Sequence, residues 1–294
     1  MTGDDLAKAL GGARVGAGWM ARCPVHRDNT PSLSISLGKD GRSLVHCHAG
    51  CEQAAVIEVL RTRGLWGDAK SEGSDPRHLA RRRQPGADDN RRRTAVATKL
   101  WCSAQCGAES LVVNYLAGRG IRVDVPARLR FHPALDHCGG SIWPAMIALV
   151  THGTDDRPLG IHRIWLDRDG RSKAPVSPNK MMLGPCRGGA VRLARRSTPL
   201  LVGEGIETCL SAMQVTGHAA WAALSTSGMR ALELPPAIRH VIILADGDLP
   251  GKAAADALAC RLSSEGRRVR IARAPDGLDF NDLLVSPVRD ECAP

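Results

Sequence analysis

The sequence predicts a mixed α/β protein, α+β overall, built from three unlike parts. First, two pairs of potential metal ligands flank a strand–turn–strand pattern near the N-terminus, which indicates a small β-ribbon. Second, apolar stretches separated by turn residues over residues 141–175 indicate an antiparallel meander inside a mixed α+β middle part. Third, two apolar strands near the C-terminus each end in an acidic residue and lead into a helix, which is typical of an α/β domain with a parallel sheet.

The composition sets the broad class of the protein. A chain of 294 residues with 43% hydrophobic residues is long enough for about two domains with real cores. The formal net charge of +10 predicts a polyanionic partner, most commonly nucleic acid, and a basic enzyme without such a partner is the alternative. We find no secretory signal and no long apolar run, so we expect a cytoplasmic protein without a membrane span. The ten cysteines then indicate reduced thiols and metal binding rather than disulfides.

The N-terminal segment "RCPVHRDNTPSLSISLGKDGRSLVHCHAGC" carries the paired ligands. Cys23 and His26 form one pair, and Cys47 and Cys51 form the other. Because "SLSISL" and "SLVHC" read as two strands joined at the turn "GKDG", a hairpin brings the pairs together. Three thiols and one imidazole in this arrangement match a closed tetrahedral site for structural Zn²⁺. His48 is an alternative to Cys47 as ligand, and ordinary buried cysteines beside a surface histidine are the structural alternative.

These residues resemble the zinc ribbon of bacterial and phage-type DNA primases. The resemblance covers about Gly18 to Trp66 and rests on "CPVHRDNTPSLSI", "HCHAGC" and the helix expected in "EQAAVIEVLRTRGLW". Here three residues separate the second ligand pair, where the family often has two. The resemblance implies that residues 1–66 form a zinc-ribbon domain that binds template DNA.

The middle of the chain changes character twice. Residues 67–94 are polar, contain proline and glycine and lack apolar periodicity, so they predict a flexible basic linker. Its arginine triplets, Arg81–Arg83 and Arg91–Arg93, contact phosphates in one interpretation and are incidental charges of a solvated spacer in the other. Ordered patterns then resume over residues 95–196.

Residues 95–196 resemble the basic N-terminal half of a primase catalytic core. The motifs "YLAGRGI", "LRFHP", "WPAM", "GIHRIWLDRDGRSKA" and "KMMLGP" follow the order of that family. The resemblance implies that Arg163, Lys173 and Lys180 hold the template or the incoming triphosphate, and the alternative for each is a surface cation. Cellular bacterial primases carry an Arg-x-Arg just before the "WPAM" segment, but this chain has "CGGSI" there. Arg128 and Arg130 lie further upstream, which puts the individual basic roles in doubt.

Carboxylates follow two apolar strands in the last third of the chain. The run Leu200–Val202 leads to Glu204, and the run Val241–Ala245 leads to Asp246 and Asp248. Since chemistry in open α/β sheets sits at the carboxyl ends of the strands, we expect the three acids to converge at one edge. They would repel one another unless a divalent cation neutralised them, and all-oxygen ligands suit Mg²⁺ or Mn²⁺. A pair of helix N-caps plus an unrelated glutamate is the structural alternative.

This strand-end pattern resembles the Toprim domain of primases, type IA and II topoisomerases and some nucleases. "GEG", "DGDLPGKAAA" and the later "GLDFNDLL" carry the resemblance, which covers about Pro199 to Leu284 within a domain expected at residues 197–290. It implies that Glu204, Asp246 and Asp248 are catalytic. For Asp279 and Asp282 in the last motif, support of the site and helix capping are equal alternatives.

Together these patterns predict a phage-type or mobile-element DNA primase that makes short primers on single-stranded DNA by metal-dependent nucleotidyl transfer. A Toprim nuclease and a non-catalytic zinc-ribbon replication protein are the alternatives. A topoisomerase is disfavoured because the only tyrosine, Tyr115, lies in an amphipathic helix where a buried ring is expected. The predicted partners are single-stranded DNA and nucleoside triphosphates. The chain lacks a Gly-x-x-x-x-Gly-Lys-Ser/Thr loop, so we also expect a separately encoded helicase or replication initiator.

Overall fold

The computed structural model describes residues 2–15, 18–28, 31–38, 43–66, 87–195 and 197–286. The chain divides into two compact units, Met1–Asn90 and Arg91–Pro294. Both combine helices with sheets, and the second contains the parallel strands, so the predicted mixed fold class is confirmed. None of the helices in the described ranges is long and apolar enough to cross a membrane.

The N-terminal unit is an antiparallel ribbon with a helix before it and a helix after it. Its described elements are α1 (Gly3–Ala9), β1 (Ala13–Val15), β2 (Gly18–Ala21), β3 (Leu33–Leu37), β4 (Ser43–Cys47) and α2 (Gln53–Thr62). The four strands pair antiparallel in the order β1-β2-β3-β4. The predicted hairpin is therefore present as β3 and β4, while its "GKDG" turn falls largely outside the described residues.

Apolar side chains of the ribbon and its helices form one core. Leu33 and Val45 point inward from β3 and β4, and Val56 and Leu60 point inward from α2, where they are four residues apart. This confirms the amphipathic helix expected after the cysteine pairs. Leu6 of α1 completes the core, a contribution that the sequence pattern did not predict.

The second unit contains the remaining elements. They are α3 (Ala87–Ser103), β5 (Gln105–Cys106), α4 (Leu111–Gly118), β6 (Leu129–Asp136), β7 (Ile142–His152), β8 (Pro158–Trp165), β9 (Lys180–Leu183), β10 (Gly189–Arg192), β11 (Leu200–Gly203), α5 (Ile206–Thr216), β12 (Ala220–Ala222), α6 (Thr226–Ala231), β13 (His240–Ala245), α7 (Leu249–Ser264), β14 (Arg268–Arg273) and α8 (Phe280–Val285). Helix α3 begins just before the boundary of the unit at residue 91.

One sheet runs through this unit, and its two ends differ in strand direction. One end consists of four neighbouring strands that pair parallel with one another, in the order β14, β13, β11 and β12. Strand β10 pairs antiparallel with both β12 and β7, and β7 continues into the antiparallel strands β5, β6, β8 and β9. Within the predicted meander, residues 141–175, the structure has the antiparallel strands β7 and β8, and β9 follows it. The expected boundary between residues 196 and 197 divides a single sheet.

The parallel strands are covered on both faces. Within β11, Leu201 belongs to one apolar core with α5, whereas Leu200 and Val202 belong to a second core with α7. A strand buried on both faces needs apolar residues at successive positions, which explains why "LLV" does not alternate.

The predicted linker requires a correction. Residues 87–94 fall within the expected flexible segment, but they form the first turns of α3. Asp88 and Asp89 occupy the first turn, where negative charge favours a helix. Ala97 and Trp101, four residues apart, are then buried further along α3. Of the two arginine triplets, Arg91–Arg93 lies on this helix, and Arg81–Arg83 falls outside the described residues.

Candidate active site and metal centre

The paired cysteines and the histidine meet in the N-terminal unit. Cys23 follows β2, Cys47 ends β4, and Cys51 precedes α2, so the ribbon delivers three thiols to one place. With His26 they form a group whose ligand atoms all lie within 4.8 Å of one another. His48 is not part of this group, which favours Cys47 in the alternative left open by the sequence.

The chemistry of this cluster fits a zinc ion. The pKa of Cys47 falls to about 4, chiefly because the Cys23 thiol donates a hydrogen bond to its sulfur, and the pKa of Cys23 is raised in return. Nδ1 of His26 lies 3.2 Å from Sγ of Cys51. Closely packed thiols of this kind release protons to a metal that binds thiolate, and three sulfurs with one imidazole complete a tetrahedron.

Asp28 supports the cluster from behind, and the sequence analysis did not single it out. Its Oδ2 accepts hydrogen bonds from the backbone N–H groups of Cys23, at 2.6 Å, and Ser32, at 3.0 Å. Its Oδ1 lies 3.7 Å from Nε2 of His26, on the side of the ring away from the thiols. At this distance the contact is electrostatic, and a carboxylate near the second ring nitrogen favours a proton there, which leaves Nδ1 to bind a metal.

The acidic residues of the second unit stand at one edge of the parallel sheet. Strands β11 and β13 are hydrogen-bonded neighbours, with Leu200 opposite Val241 and Val202 opposite Ile243. Glu204 and Asp246 follow these strands directly, so the expected convergence of strand ends takes place. The carboxylates are less tightly gathered than the cysteine cluster, since within the described ranges only that cluster was found to bring three or more possible ligands this close.

A polar cavity of about 130 Å³ opens at this edge. Both halves of the second unit contribute to it. Its charged lining consists of Arg119, Lys173, Lys180, Glu204, Glu207, Asp246 and Asp279. A larger cavity of about 300 Å³ elsewhere in the unit lies beside Arg130 and contains no carboxylate. The acidic cavity is therefore the better candidate for chemistry on a charged ligand.

Burial and mutual repulsion act on the acids of the cavity. The pKa of Asp246 rises to about 7, first through burial and then through Glu204, Asp279 and Asp248, with Lys180 opposing. Burial also raises the pKa of Glu204. Oδ1 of Asp246 is buried and has no hydrogen-bond partner among the described residues. An orphaned carboxylate oxygen among other acids fits a divalent cation, which would hold Glu204 and Asp246 ionised.

Asp248 is a helix N-cap and is not among the residues that line the cavity, so its role as a metal ligand stays a prediction. Its Oδ1 accepts a hydrogen bond from the backbone N–H of Gly251 at 2.7 Å and caps α7. The residue is exposed, and its charge still raises the pKa of both Glu204 and Asp246. Asp246 caps no helix. The N-cap interpretation therefore holds for Asp248 alone.

Asp279 and Asp282 form a capping box at the start of α8. The Asp279 side chain accepts from the N–H groups of Asn281 and Asp282, and Asp282 accepts from the N–H of Asp279 at 3.0 Å. Asp279 also lines the cavity, whereas Asp282 is not among the lining residues. Capping is confirmed for both, and support of the site stays a prediction for Asp279.

The three basic candidates divide between the two faces of the sheet. Lys173 and Lys180 line the cavity. Arg163 does not, because successive strand residues point to opposite faces. Its guanidinium stacks over Trp165, at 5.2 Å from the ring centroid, and donates weakly to the carbonyl of Met182. Arg163 is therefore separated from the acids by the sheet itself.

Its neighbour His162 is the strand residue that reaches the cavity, and the sequence analysis missed it. His162 is 6% exposed, and its Nδ1 has no hydrogen-bond partner among the described residues. Burial, reinforced by Lys180, lowers the pKa of its imidazole to about 3, so the ring is neutral near pH 7. The alternation of "GIHRIW" was the available signal, since Ile164 is on the same face and also lines the cavity.

Arg119 and Glu207 were also missed. Arg119 follows α4, and Glu207 lies on the first turn of α5. Glu207 accepts a hydrogen bond from the Tyr115 hydroxyl at 2.5 Å. It also forms an ion pair with Lys173, whose Nζ lies 3.1 Å from Oε1 of Glu207. Tyr115 is 1% exposed, as expected for a buried ring.

Two family models match consecutive parts of the second unit. Residues 199–290 match the Toprim domain, and residues 91–193 match a domain of unknown function, DUF7146. The Toprim domain predicted from the sequence is thereby confirmed over residues 199–290. No curated protein matches the chain.

Several solved primase structures are similar at low identity. The zinc-binding and RNA polymerase domains of Aquifex aeolicus primase give a TM-score of 0.42 at 16% identity over 96% of this chain and 78% of that one. The DnaG catalytic core gives 0.45 at 19% identity, over 65% of this chain and 74% of that one. The RNA polymerase domain of Mycobacterium tuberculosis primase gives 0.41 at 15% identity, over 66% and 78%. Similarity at this level does not establish a shared activity.

Proposed function

We propose, from the premise that residues 199–290 form a Toprim domain, that the chain is a DNA primase joining nucleotides on a single-stranded template. One observation carries the proposal. The acidic edge of the Toprim sheet and basic residues of the preceding half, Lys173 and Lys180, line the same cavity. Such a cavity offers oxygen ligands for a cation beside ammonium groups for phosphate, which phosphoryl transfer requires.

Glu204 and Asp246, with Asp248 beside them, would hold Mg²⁺ or Mn²⁺. When bound, such an ion neutralises phosphate charge and lowers the pKa of an attacking hydroxyl. The chain's own groups supply the rest. Lys180 and Lys173 bind the triphosphate, and His162 lies beside them in the wall of the cavity.

The N-terminal unit has a separate role in this proposal. Its zinc cluster fixes the ribbon, and the ribbon binds single-stranded template. The net charge of +10 supports a polyanionic partner, because lysine and arginine bind phosphates and release counterions. A separately encoded helicase or replication initiator would open the duplex, since this chain has no Gly-x-x-x-x-Gly-Lys-Ser/Thr loop. We therefore place the protein in the cytoplasm, with replicating DNA.

A primer-synthesis assay tests the function. The purified chain is incubated with single-stranded DNA, labelled nucleoside triphosphates and Mg²⁺ or Mn²⁺, and the products are resolved by length. Short template-dependent oligonucleotides are expected, and they should vanish in Asp246→Ala. Metal-dependent cleavage of the template without synthesis would instead identify a Toprim nuclease. DNA binding without either reaction would identify a non-catalytic protein.

A forked duplex with ATP tests the need for a partner. The chain alone should leave the duplex paired while it still makes primers on single strands. Unwinding that depends on ATP hydrolysis by this chain would contradict the expected division of labour.

A further inference from the structure

Glu207 is a buried acid with two partners from distant parts of the second unit. Tyr115 reaches it from α4 and Lys173 from the turn region that follows β8. The Tyr115 hydroxyl donates to Oε1 of Glu207 at 2.5 Å, and Nζ of Lys173 lies 3.1 Å from the same oxygen. The carboxylate thus adds a charged link between a helix and a turn that also pack against each other, Gly118 beside Arg171 and Gly170 beside Leu111.

The charge states of this trio follow from its burial. Burial alone would raise the pKa of Glu207, but the charge of Lys173 and the hydrogen bond from Tyr115 outweigh it and bring the pKa to about 2. Burial and the charge of Glu207 raise the pKa of Tyr115 above its usual value. Near neutral pH an ionised Glu207 therefore faces a charged Lys173 and a neutral tyrosine donor.

The ammonium of Lys173 is the most exposed of the three groups and the one that can donate to an anionic ligand. Its side chain is 31% exposed and that of Glu207 is 12% exposed. Lys173 and Glu207 both line the cavity with Glu204 and Asp246. An ammonium has three N–H donors, so a bond to Glu207 leaves two for another acceptor. A free lysine stem is flexible, and fixing it beforehand reduces the entropy lost on binding.

We propose that Glu207, itself fixed by Tyr115, is a positioning residue that holds the Lys173 ammonium in the cavity to receive the phosphates of a nucleoside triphosphate. The inference rests on the proposed function, because it takes a triphosphate as the ligand. Glu207 does not touch the nucleotide in this arrangement and acts only through Lys173. The competing explanation is an ion pair that stabilises the fold and has no effect on the ligand.

Binding without chemistry separates the two explanations. A fluorescent nucleoside triphosphate is titrated into the full chain in Mg²⁺ without a template, so that the acids of the cavity are neutralised and no nucleotide joining takes place. Glu207→Gln keeps the shape of the side chain and is expected to weaken binding about tenfold, as loss of a charge-assisted contact does. Tyr115→Phe, which removes only the hydroxyl, should weaken it about threefold. Asp256, on α7, forms an exposed ion pair with Arg273 of β14. Asp256→Asn weakens that pair and serves as the matched control, with unchanged triphosphate binding expected.

A double variant tests whether Glu207 acts through Lys173. Lys173→Met should bind the triphosphate at least as weakly as Glu207→Gln. Adding Glu207→Gln to Lys173→Met should weaken binding no further, since the group being positioned is already absent. The double variant also removes the unpaired buried charge that Lys173→Met leaves, so its folding is protected.

A second measurement uses the free protein and needs no ligand. The acylation rate of Lys173 by an amine-reactive ester is followed by mass spectrometry, with the exposed Lys99 as internal reference. Release of Lys173 in Glu207→Gln should raise its rate about tenfold relative to Lys99.

The outcomes distinguish this inference from the proposed function. Triphosphate binding with the expected variant pattern but no primer synthesis would sink the primase function and leave the positioning role intact. Primer synthesis with unchanged binding in Glu207→Gln would overturn the positioning role and leave the function intact. The positioning role is also overturned if Glu207→Gln weakens binding equally with and without Lys173, or if the wild-type chain binds no triphosphate.

Discussion

The cysteine cluster and the acidic cavity are both candidate metal sites, but the chain prepares them differently. In the cluster, four ligand atoms already lie within 4.8 Å of one another, and Asp28 supports His26 from behind. In the cavity, Asp246 keeps a buried oxygen without a partner, and Asp248 directs one of its oxygens to a helix end. The cysteine cluster supplies all four of its ligands from the protein, whereas the cavity leaves a carboxylate oxygen of Asp246 available to an outside ligand.

The difference also appears in the charge state of the ligands. In the cluster the hydrogen bond from the Cys23 thiol lowers the pKa of Cys47, which favours the thiolate form of that ligand. In the cavity, burial and repulsion raise the pKa of Asp246 to about 7, so ionising this carboxyl costs free energy. Thiolate ligands suit a closed structural zinc site, and carboxylates with perturbed pKa values in a cleft are typical of functional sites.

The largest expected effect is on the cluster. Cys23→Ser should release the zinc and unfold the N-terminal unit, because binding of a structural zinc is worth about 10 kcal/mol or more in small zinc domains. Zinc content by elemental analysis and calorimetric unfolding check this. Cys102→Ser, at an exposed cysteine of the second unit, is the control and should keep the metal. Full zinc in Cys23→Ser would show that the two sites do not differ as described.

Next in size is the loss of activity at the cavity. Asp246→Ala or Glu204→Ala should abolish nucleotide joining, by about 10³-fold or more, since the cation would lose a buried ligand. Asp248→Ala should be similarly severe. Fold and most DNA binding should persist, as circular dichroism and gel-shift assays would show, with Asp256→Asn as a surface control. Unchanged synthesis in Asp246→Ala would remove the catalytic assignment.

The stability of the metal-free protein should depend on pH through Asp246. Its pKa is about 7 in the fold and its ordinary value is 3.8, so its contribution to stability is present at low pH and lost as the pH rises through about 7. Asp246→Asn should therefore match the wild type near pH 4 and exceed it near pH 8, on the order of a few kcal/mol. Thermal unfolding in EDTA measures this. Equal stability at pH 8 would contradict the repulsion described for the cavity, and added Mg²⁺ should narrow the gap.

A smaller effect is expected behind the cluster. Asp28→Asn weakens the support of His26 and the backbone at Cys23, so zinc affinity should fall about 10- to 100-fold while the ribbon still folds in excess zinc. Competition with a chromophoric chelator measures the affinity. Glu58→Gln, on the exposed side of α2, should leave it unchanged. An unaltered affinity in Asp28→Asn would make the cluster independent of its supporting shell.

The smallest expected change separates the two roles of Asp248. Asp248→Ala removes the cap of α7 and should cost about 1 kcal/mol of stability, whereas Asp248→Asn keeps a capping oxygen and should cost little. Both remove the charge and should lose activity alike. Denaturant unfolding beside the primer assay tests this. An active Asp248→Asn would assign the residue to capping alone.

The sequence was informative where function follows strand ends. Glu204 and Asp246 could be placed together because parallel strands align their carboxyl ends, and the cysteine pairs because a hairpin joins them. It did not predict which face of a strand lines the cavity. The basic motif identified the correct segment at β8, but the structure brings His162 into the cavity and turns Arg163 away.

Contacts between distant segments could not be predicted at all. Tyr115 and Glu207 are 92 positions apart, and only the packing of α4 near α5 brings the hydroxyl to the carboxylate. The start of α3 was missed for a different reason. Its first turns are highly polar, and the residues that hold it, Ala97 and Trp101, come later in the helix.

Because β10 pairs with both β12 and β7, a break in the chain between the two halves of the second unit would split one sheet. Separated at residue 197, the C-terminal piece would expose the edge of β12 at Ala220–Ala222, a buried row of backbone donors and acceptors that is prone to join other chains. The two halves separated at residue 197 would therefore be prone to aggregate rather than fold as independent domains. A cut at the boundary between the two compact units would keep that sheet whole, although it would fall within the first turns of α3.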